Sequence, residues 1–427
     1  MSKYISFGKY NKLYKYIWLY IISQLVYEYF YGSHFPKKIT INYLNKFPKR
    51  ILVQETFNYL GISIFSYFLF KYELNQINQL NQNKRENSVS QESVNSSEVN
   101  LIYNEYKGNL KTISIQSFCF VIFLFILSSE LINIFNNIGL KGLDFWMFEI
   151  LFICLITVTK FKIPIYRHKQ IAIFIILFFP IIMKIISLYK ILKTNDEDNI
   201  YKNHHWIIPV GIISFLIFIL IRDYSYCKIK WFFDLRYISA MKLLVVYGIM
   251  GTIICLIGSL ISTNVECVDR TKFFDIKKIC NITENDKNYY YDHFHIFFKK
   301  IWEEDIYYIL FELFEIFISF LIKLFVMLII KNLNPEFLIC SKDIYFFIIK
   351  LLTFIRGYKI VDLYYLLSEL FAIFGFFIYL ELIECKFCKI NYNLKKNIIR
   401  RSIKEIDDDN ICDLSESNSQ LNVEIEL

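Results

Sequence analysis

The chain has 427 residues, of which 55% are hydrophobic and 19% aromatic, with 43 Phe and 32 Tyr, while only 21% are charged. No set of soluble domains hides that much apolar surface, and the same composition excludes a largely disordered chain and a small disulfide scaffold. A formal charge of +8 raises nucleic acid as a partner, but the basic residues stand in short clusters between apolar segments. That is the pattern of membrane topology and not of a nucleic-acid groove. The expected partners are therefore the lipid bilayer and a small-molecule solute, with no nucleic acid.

A helix needs about 20 mostly apolar residues to cross the hydrocarbon core. Candidate spans fall at 13–32, 51–71, 113–138, 143–160, 170–192, 206–222, 242–262, 306–330, 334–355 and 363–384, ten in all. The expected fold class is an all-α polytopic membrane protein, because the segments are too long for barrel strands and do not alternate apolar with polar. The first segment carries Lys15 and Glu28, and no small-residue cleavage site follows it, so a cleaved signal peptide is not expected.

Loop charge orients the bundle. With a cytoplasmic N-terminus, three basic stretches face the cytoplasm: 160–169, the run from Arg222 through Lys228, Lys230 and Arg236 to Lys242, and the tail from Lys395 to Arg401. The loop with Lys37, Lys38, Lys46, Lys49 and Arg50 is outvoted. Both termini are then cytoplasmic, in an endomembrane or the plasma membrane. The longest non-cytoplasmic loop, 263–304, holds Cys267, Cys280 and the sequon Asn281-Ile-Thr283. Glycosylation at Asn281 and a Cys267–Cys280 disulfide both suit a lumenal or extracellular loop; chance occurrence is the alternative. Residues 74–110 lack apolar periodicity and are expected to form a flexible cytoplasmic loop. The tail, 385–427, is basic and then acidic, and is expected to be disordered.

The stretch Ile138-Gly-Leu-Lys-Gly-Leu-Asp-Phe-Trp-Met-Phe-Glu-Ile, followed by Thr159-Lys-Phe-Lys-Ile-Pro-Ile-Tyr-Arg-His-Lys, reads as helix, very short turn, helix, basic tight turn, helix. Leu328-Ile-Ile-Lys-Asn-Leu-Asn-Pro-Glu-Phe-Leu-Ile-Cys repeats the form, and Ser368-Glu-Leu-Phe-Ala-Ile-Phe-Gly-Phe-Phe-Ile-Tyr leads into a basic tail. This layout resembles the drug/metabolite transporter superfamily, near its chloroquine-resistance-transporter-like or nucleotide-sugar-transporter-like branches. The resemblance implies two inverted five-helix repeats, 1–193 and 206–384, with cytoplasmic termini and a cysteine-bearing loop after the seventh helix.

Charge inside a bilayer costs roughly 2.5–3.5 kcal/mol per residue on insertion scales, so each such residue needs a partner or a wet cavity. The candidates are Glu55, Glu130, Glu149, Lys184, Glu312, Glu315, Lys323, Lys350 and Glu369. Four are expected to line a substrate pathway: Glu149, in the middle of the fourth segment; Glu55 with Asn58, three apart on one helix face; and Glu130, deep in the third. A carboxylate there would pair with a cationic substrate or carry a coupled proton. The alternative is an ion pair, with Lys184 or Lys350 for example. His204-His205, His293-Phe-His295 and Cys385-Lys-Phe-Cys388 complete no metal-ligand set, so no metal or cofactor is expected. No Walker, dinucleotide, HExxH or nucleophile-elbow motif occurs, and an enzyme is not expected. A secondary transporter of a small organic solute is the leading expectation. A membrane-embedded lipid-modifying enzyme and a non-transporting scaffold are its rivals.

Overall fold

A computed structural model of the protein describes residues 5–31, 51–88, 115–137, 145–162, 165–193, 206–236, 238–264, 281–282, 289–290, 306–355 and 363–382. Among these residues the helices are α1 (Ile5–Tyr31), α2 (Ile51–Ser88), α3 (Ile115–Asn137), α4 (Glu149–Phe161, entered through a 3-10 turn Trp146–Phe148), α5 (Arg167–Lys193), α6 (Ile207–Arg236), α7 (Ala240–Asn264), α8 (Ile306–Asn332), α9 (Pro335–Ile355) and α10 (Leu363–Tyr379). Each overlaps one apolar segment of the sequence. The one sheet among the described residues is a two-residue pairing of β1 (Asn281–Ile282) with β2 (Tyr289–Tyr290). Five helices, α3, α5, α6, α7 and α8, are long and apolar enough to cross a membrane. Large apolar side chains such as Trp18, Phe68, Phe120, Phe174 and Ile253 stand on the outside of the bundle. An all-helical, multi-pass membrane protein accounts for both observations.

Hydroxyls on these helices bond to their own backbone, as an apolar surrounding demands: Thr56 to the Leu52 carbonyl, Thr252 to Gly248 and Thr353 to Ile349, all within 2.8 Å. Connections are short where they are described. Lys162 takes a left-handed conformation (φ 55°) to end α4. Leu333 and Asn334 alone join α8 to α9, with Pro335 at the first helical position, where its missing N–H leaves no bond broken. Helix α10 closes in a Schellman motif: Leu382 N–H donates to the Phe377 carbonyl (2.9 Å) and Glu381 N–H to that of Ile378 (3.1 Å), with Glu381 at φ 60°.

The most extensive helix interfaces are α2 with α7 and α5 with α10, followed by α3 with α6 and α1 with α8. Side-chain register gives their directions. Along α2, Ser63, Tyr59 and Leu52 face Gly248, Gly251 and Gly258 of α7, so these two helices are antiparallel. Phe118, Phe125 and Phe135 of α3 meet Phe232, Tyr226 and Phe215 of α6, also antiparallel. Across α5 and α10, His168, Lys169 and Phe179 meet Glu381, Tyr379 and Phe371 in the same opposed sense. At the α2–α7 crossing the glycines set the distance between the axes, because a Cβ on Gly248 would lie 2.6 Å from the Ser63 backbone nitrogen.

Three expectations are corrected here. Residues 74–88 continue α2 as helix instead of opening the flexible loop, because Gln, Glu, Lys and Arg are sound helix formers even where no apolar face exists; residues 89–110 lie outside the described residues. The sixth segment does not stop at residue 222. Helix α6 runs on to Arg236, carrying the basic stretch as helix, and its burial continues through Asp223, Cys227, Ile229, Phe232 and Phe233. Glu149 is not mid-helix but opens α4, where the unsatisfied N–H groups favour an acidic residue. Cys267 and Cys280 lie outside the described residues. Asn281 is in β1, opposite Tyr290.

Candidate functional site

The four carboxylate and amide residues singled out in the sequence fall into two neighbouring clusters. The first lies among α2, α3, α7 and α8. Glu55, Asn58 and Tyr59 occupy one face of α2 together with the buried Ile62 and Ser66, while Leu60, Ile64, Tyr67 and Phe68 point outward. Tyr59 donates to Glu130 Oε1 (2.7 Å), and Tyr247 of α7 donates to the Tyr59 hydroxyl (3.2 Å). Glu55 interacts with Asn58 and with the Lys323 ammonium of α8, and Glu130 also lies in the field of Lys323 and Glu55. The ammonium sits 5.8 Å from the Phe125 ring centre and 5.7 Å from that of Tyr247. Glu130 and Asn58 are buried, yet Glu130 Oε2 and Asn58 Oδ1 have no hydrogen-bond partner among the described residues. Glu55 and Lys323 stand on the inward faces of their helices and are half-buried.

The second cluster joins α4, α6 and α9. Glu149, 1% exposed, is held by the Arg222 guanidinium and by Lys342 Nζ (3.2 Å). Arg222 also lies 4.8 Å from the Trp146 ring centre. Next to it Asp223 is fully buried, and neither of its carboxylate oxygens has a hydrogen-bond partner among the described residues. Such a buried group carries a full desolvation cost, so it marks a place where the protein keeps polarity for a purpose other than packing.

The two clusters meet through aromatic rings. Tyr226, one turn past Arg222, lies 5.8 Å from the Arg222 guanidinium, 5.3 Å from the Lys342 ammonium and 5.2 Å from Phe125. Phe125 in turn is 5.2 Å from Tyr247. A continuous polar and aromatic core therefore runs through the bundle, fed by seven helices. Chemically it can hold a charged or dipolar group and change its own pairing to do so.

The remaining intramembrane candidates are placed elsewhere. Lys350 pairs with Glu369 across α9 and α10, Tyr27 donates to Glu315 (3.5 Å), Glu312 is buried on α8, and Lys184 stands 5.8 Å from the Phe145 ring centre. Sequence reading missed Arg222, Asp223 and Lys342 as interior residues. The available signal was the return of apolar residues at Ile229, Trp231, Phe232 and Phe233 after the Arg-Asp pair, at helical spacing. Among the described residues no group of three His, Cys, Asp or Glu is placed to hold a metal ion. His204, His205, His293, His295, Cys385 and Cys388 lie outside them.

The Tyr59 hydroxyl donates to Oε1 of buried Glu130, so Tyr59→Phe is expected to lower stability by about 1–3 kcal/mol. Tyr247→Phe, which removes only the outer bond of the chain, is expected to cost less. Thermal unfolding of the two variants in nanodiscs checks the order, and equal losses would show that the hydroxyl chain does not end on Glu130.

Compared with known proteins, the chain matches no family model and no curated sequence.

Proposed function

We propose that the protein is a secondary transporter that moves a small organic solute across a membrane by alternating access. The carrying observation is the inward placement of Glu55, Glu130 and Lys323 among α2, α3 and α8, in a bundle whose outside is apolar. Intramembrane charge is costly and is kept where a substrate or ion must be met.

Helix pairing supports a ten-span, two-repeat architecture of the drug/metabolite-transporter kind. Exchanging each helix with the one five places away carries α2–α7 and α5–α10 onto themselves, α3–α6 onto α1–α8, and α4–α6 onto α1–α9; all of these are packed pairs. With five spans per repeat, equivalent helices must run in opposite directions, and α2 with α7 and α5 with α10 do. The clusters then lie at the interface of the two repeats, where alternating access by rocking needs its fixed site. On this reading α4, only 13 residues and about 20 Å long, crosses with the help of its 3-10 entry turn.

Purified protein in proteoliposomes, offered nucleotide sugars, phosphorylated sugars, amino acids, short peptides and organic cations, tests the reading. Accumulation of one class above protein-free liposomes is expected. It is expected to fall at least tenfold in Glu130→Gln, the size of effect that loss of a buried charge-assisted contact produces. Absence of flux for every class would turn the reading toward an embedded enzyme or a scaffold.

A further inference from the structure

The cluster on α2, α3, α7 and α8 contains two carboxylates, Glu55 and Glu130, and one ammonium, Lys323. Its formal charge is therefore −1 with all three ionised. Its two unpartnered atoms named above, Glu130 Oε2 and Asn58 Oδ1, are acceptors on residues that are 6% and 5% exposed. With all three ionised, a ligand that donates hydrogen bonds and brings one positive charge completes this cluster. The walls are aromatic: Phe125 and Tyr247 flank the Lys323 ammonium, and Tyr59 and Tyr247 lie with ring centres 5.2 Å apart. Aromatic faces favour a weakly hydrated organic cation over a small inorganic one.

Lys323 itself shows what fits. Its side chain is an alkylammonium on a four-carbon stem, and its position on the inward face of α8, beside Phe320 and Met327, directs that group between the rings. We propose that the Glu55–Asn58–Glu130 cluster is a binding site for the primary ammonium of an organic amine, with Lys323 as its tethered resident, which an incoming amine displaces. This rests on the transport reading for its biological purpose, but the site is defined by binding alone. In the absence of substrate, Lys323 keeps the pair of carboxylates from standing uncompensated inside the bundle. When an amine enters, Lys323 gives up its place beside the carboxylates, and the amine's N–H groups meet Glu130 Oε2 and Asn58 Oδ1.

The test uses the full chain in nanodiscs, with n-butylammonium as the probe and n-butanol and butyrate as neutral and anionic controls at matched ionic strength. Thermal stability is expected to rise with butylammonium concentration and not with either control, because binding to the folded state alone raises stability by mass action. Lys323→Met removes the resident cation while keeping its apolar stem. It is expected to tighten butylammonium binding at least tenfold, since a like charge within the site is gone. Glu130→Gln is expected to abolish the shift. If Lys323→Met does not fold, Lys323→Gln carries the same expectation. Unchanged or weaker binding in whichever lysine variant folds overturns the resident role. No shift in wild type and in that variant overturns the site. Measured separately, butylammonium flux distinguishes the two readings: binding without flux of any solute keeps the site and sinks the transporter, and flux of another solute without butylammonium binding does the reverse.

Discussion

Arg222→Ala is expected to be among the most damaging single substitutions in the protein. Arg222 and Lys342 together hold a carboxylate, Glu149, that has almost no contact with its surroundings outside the bundle. Removing one member of a buried charged group leaves the others uncompensated, which costs about 3–5 kcal/mol. The fully buried Asp223 makes this worse, because it too loses the neighbouring guanidinium. Glu149→Gln is expected to cost a similar amount from the opposite side, leaving Arg222 and Lys342 facing each other. The double variant is expected to lose less than the two losses combined, with about 1–3 kcal/mol of coupling. Unfolding midpoints of wild type, both singles and the double variant measure it. Additive losses would show that the two residues do not act on one another, and losses under about 0.5 kcal/mol, the range of ordinary surface sites, would remove the cluster from the structural account.

The second large effect is expected at Gly248. Substituting Ala for Gly in a helix normally gains up to about 1 kcal/mol from propensity. At Gly248 the gain is overwhelmed, because the new Cβ would lie 2.6 Å from the Ser63 nitrogen and 2.7 Å from its Cα. Those are backbone atoms of a neighbouring helix and cannot rotate away, so α2 and α7 must separate. Overpacking of this kind costs about 1–3 kcal/mol or more. The separation would also pull Tyr59 from Tyr247 and loosen the hydroxyl chain to Glu130. Gly258, on the same helix, is the internal control: its Cβ would meet only a Leu52 methyl at 3.3 Å. Gly258→Ala is expected to be neutral or mildly stabilising. Thermal melts of the two variants side by side decide the matter, and equal behaviour would mean that the α2–α7 crossing is not set by glycine.

Both expectations depend on contacts between helices, and here sequence and structure part. Apolar run length located every described helix, because hydropathy is summed over neighbours in the chain. Run length placed the boundaries less well. It stopped α6 at the Arg-Asp pair, since a charged dipeptide reads as an interface when its partner, Glu149, is 73 positions away. It stopped α2 near residue 71, since polar Gln- and Asn-rich helix has no periodicity to detect. For the candidate site, the cost of intramembrane charge was enough to select Glu55, Asn58, Glu130 and Glu149 as residues that need a reason to be where they are.

By itself, then, the sequence determined that the protein is a helical membrane protein, roughly where its described helices lie, and which side chains are too polar for lipid. Only the tertiary structure decided which of those side chains meet. Glu149 belongs with Arg222 and with Lys342, the latter 193 positions away, while Glu55 and Glu130 belong with Lys323. The physical reason is that burial preference is a local property of the chain. Pairing across helices depends on their rotation and on how closely their axes approach, and at the α2–α7 crossing that approach is set by two glycines facing Ser63 and Tyr59.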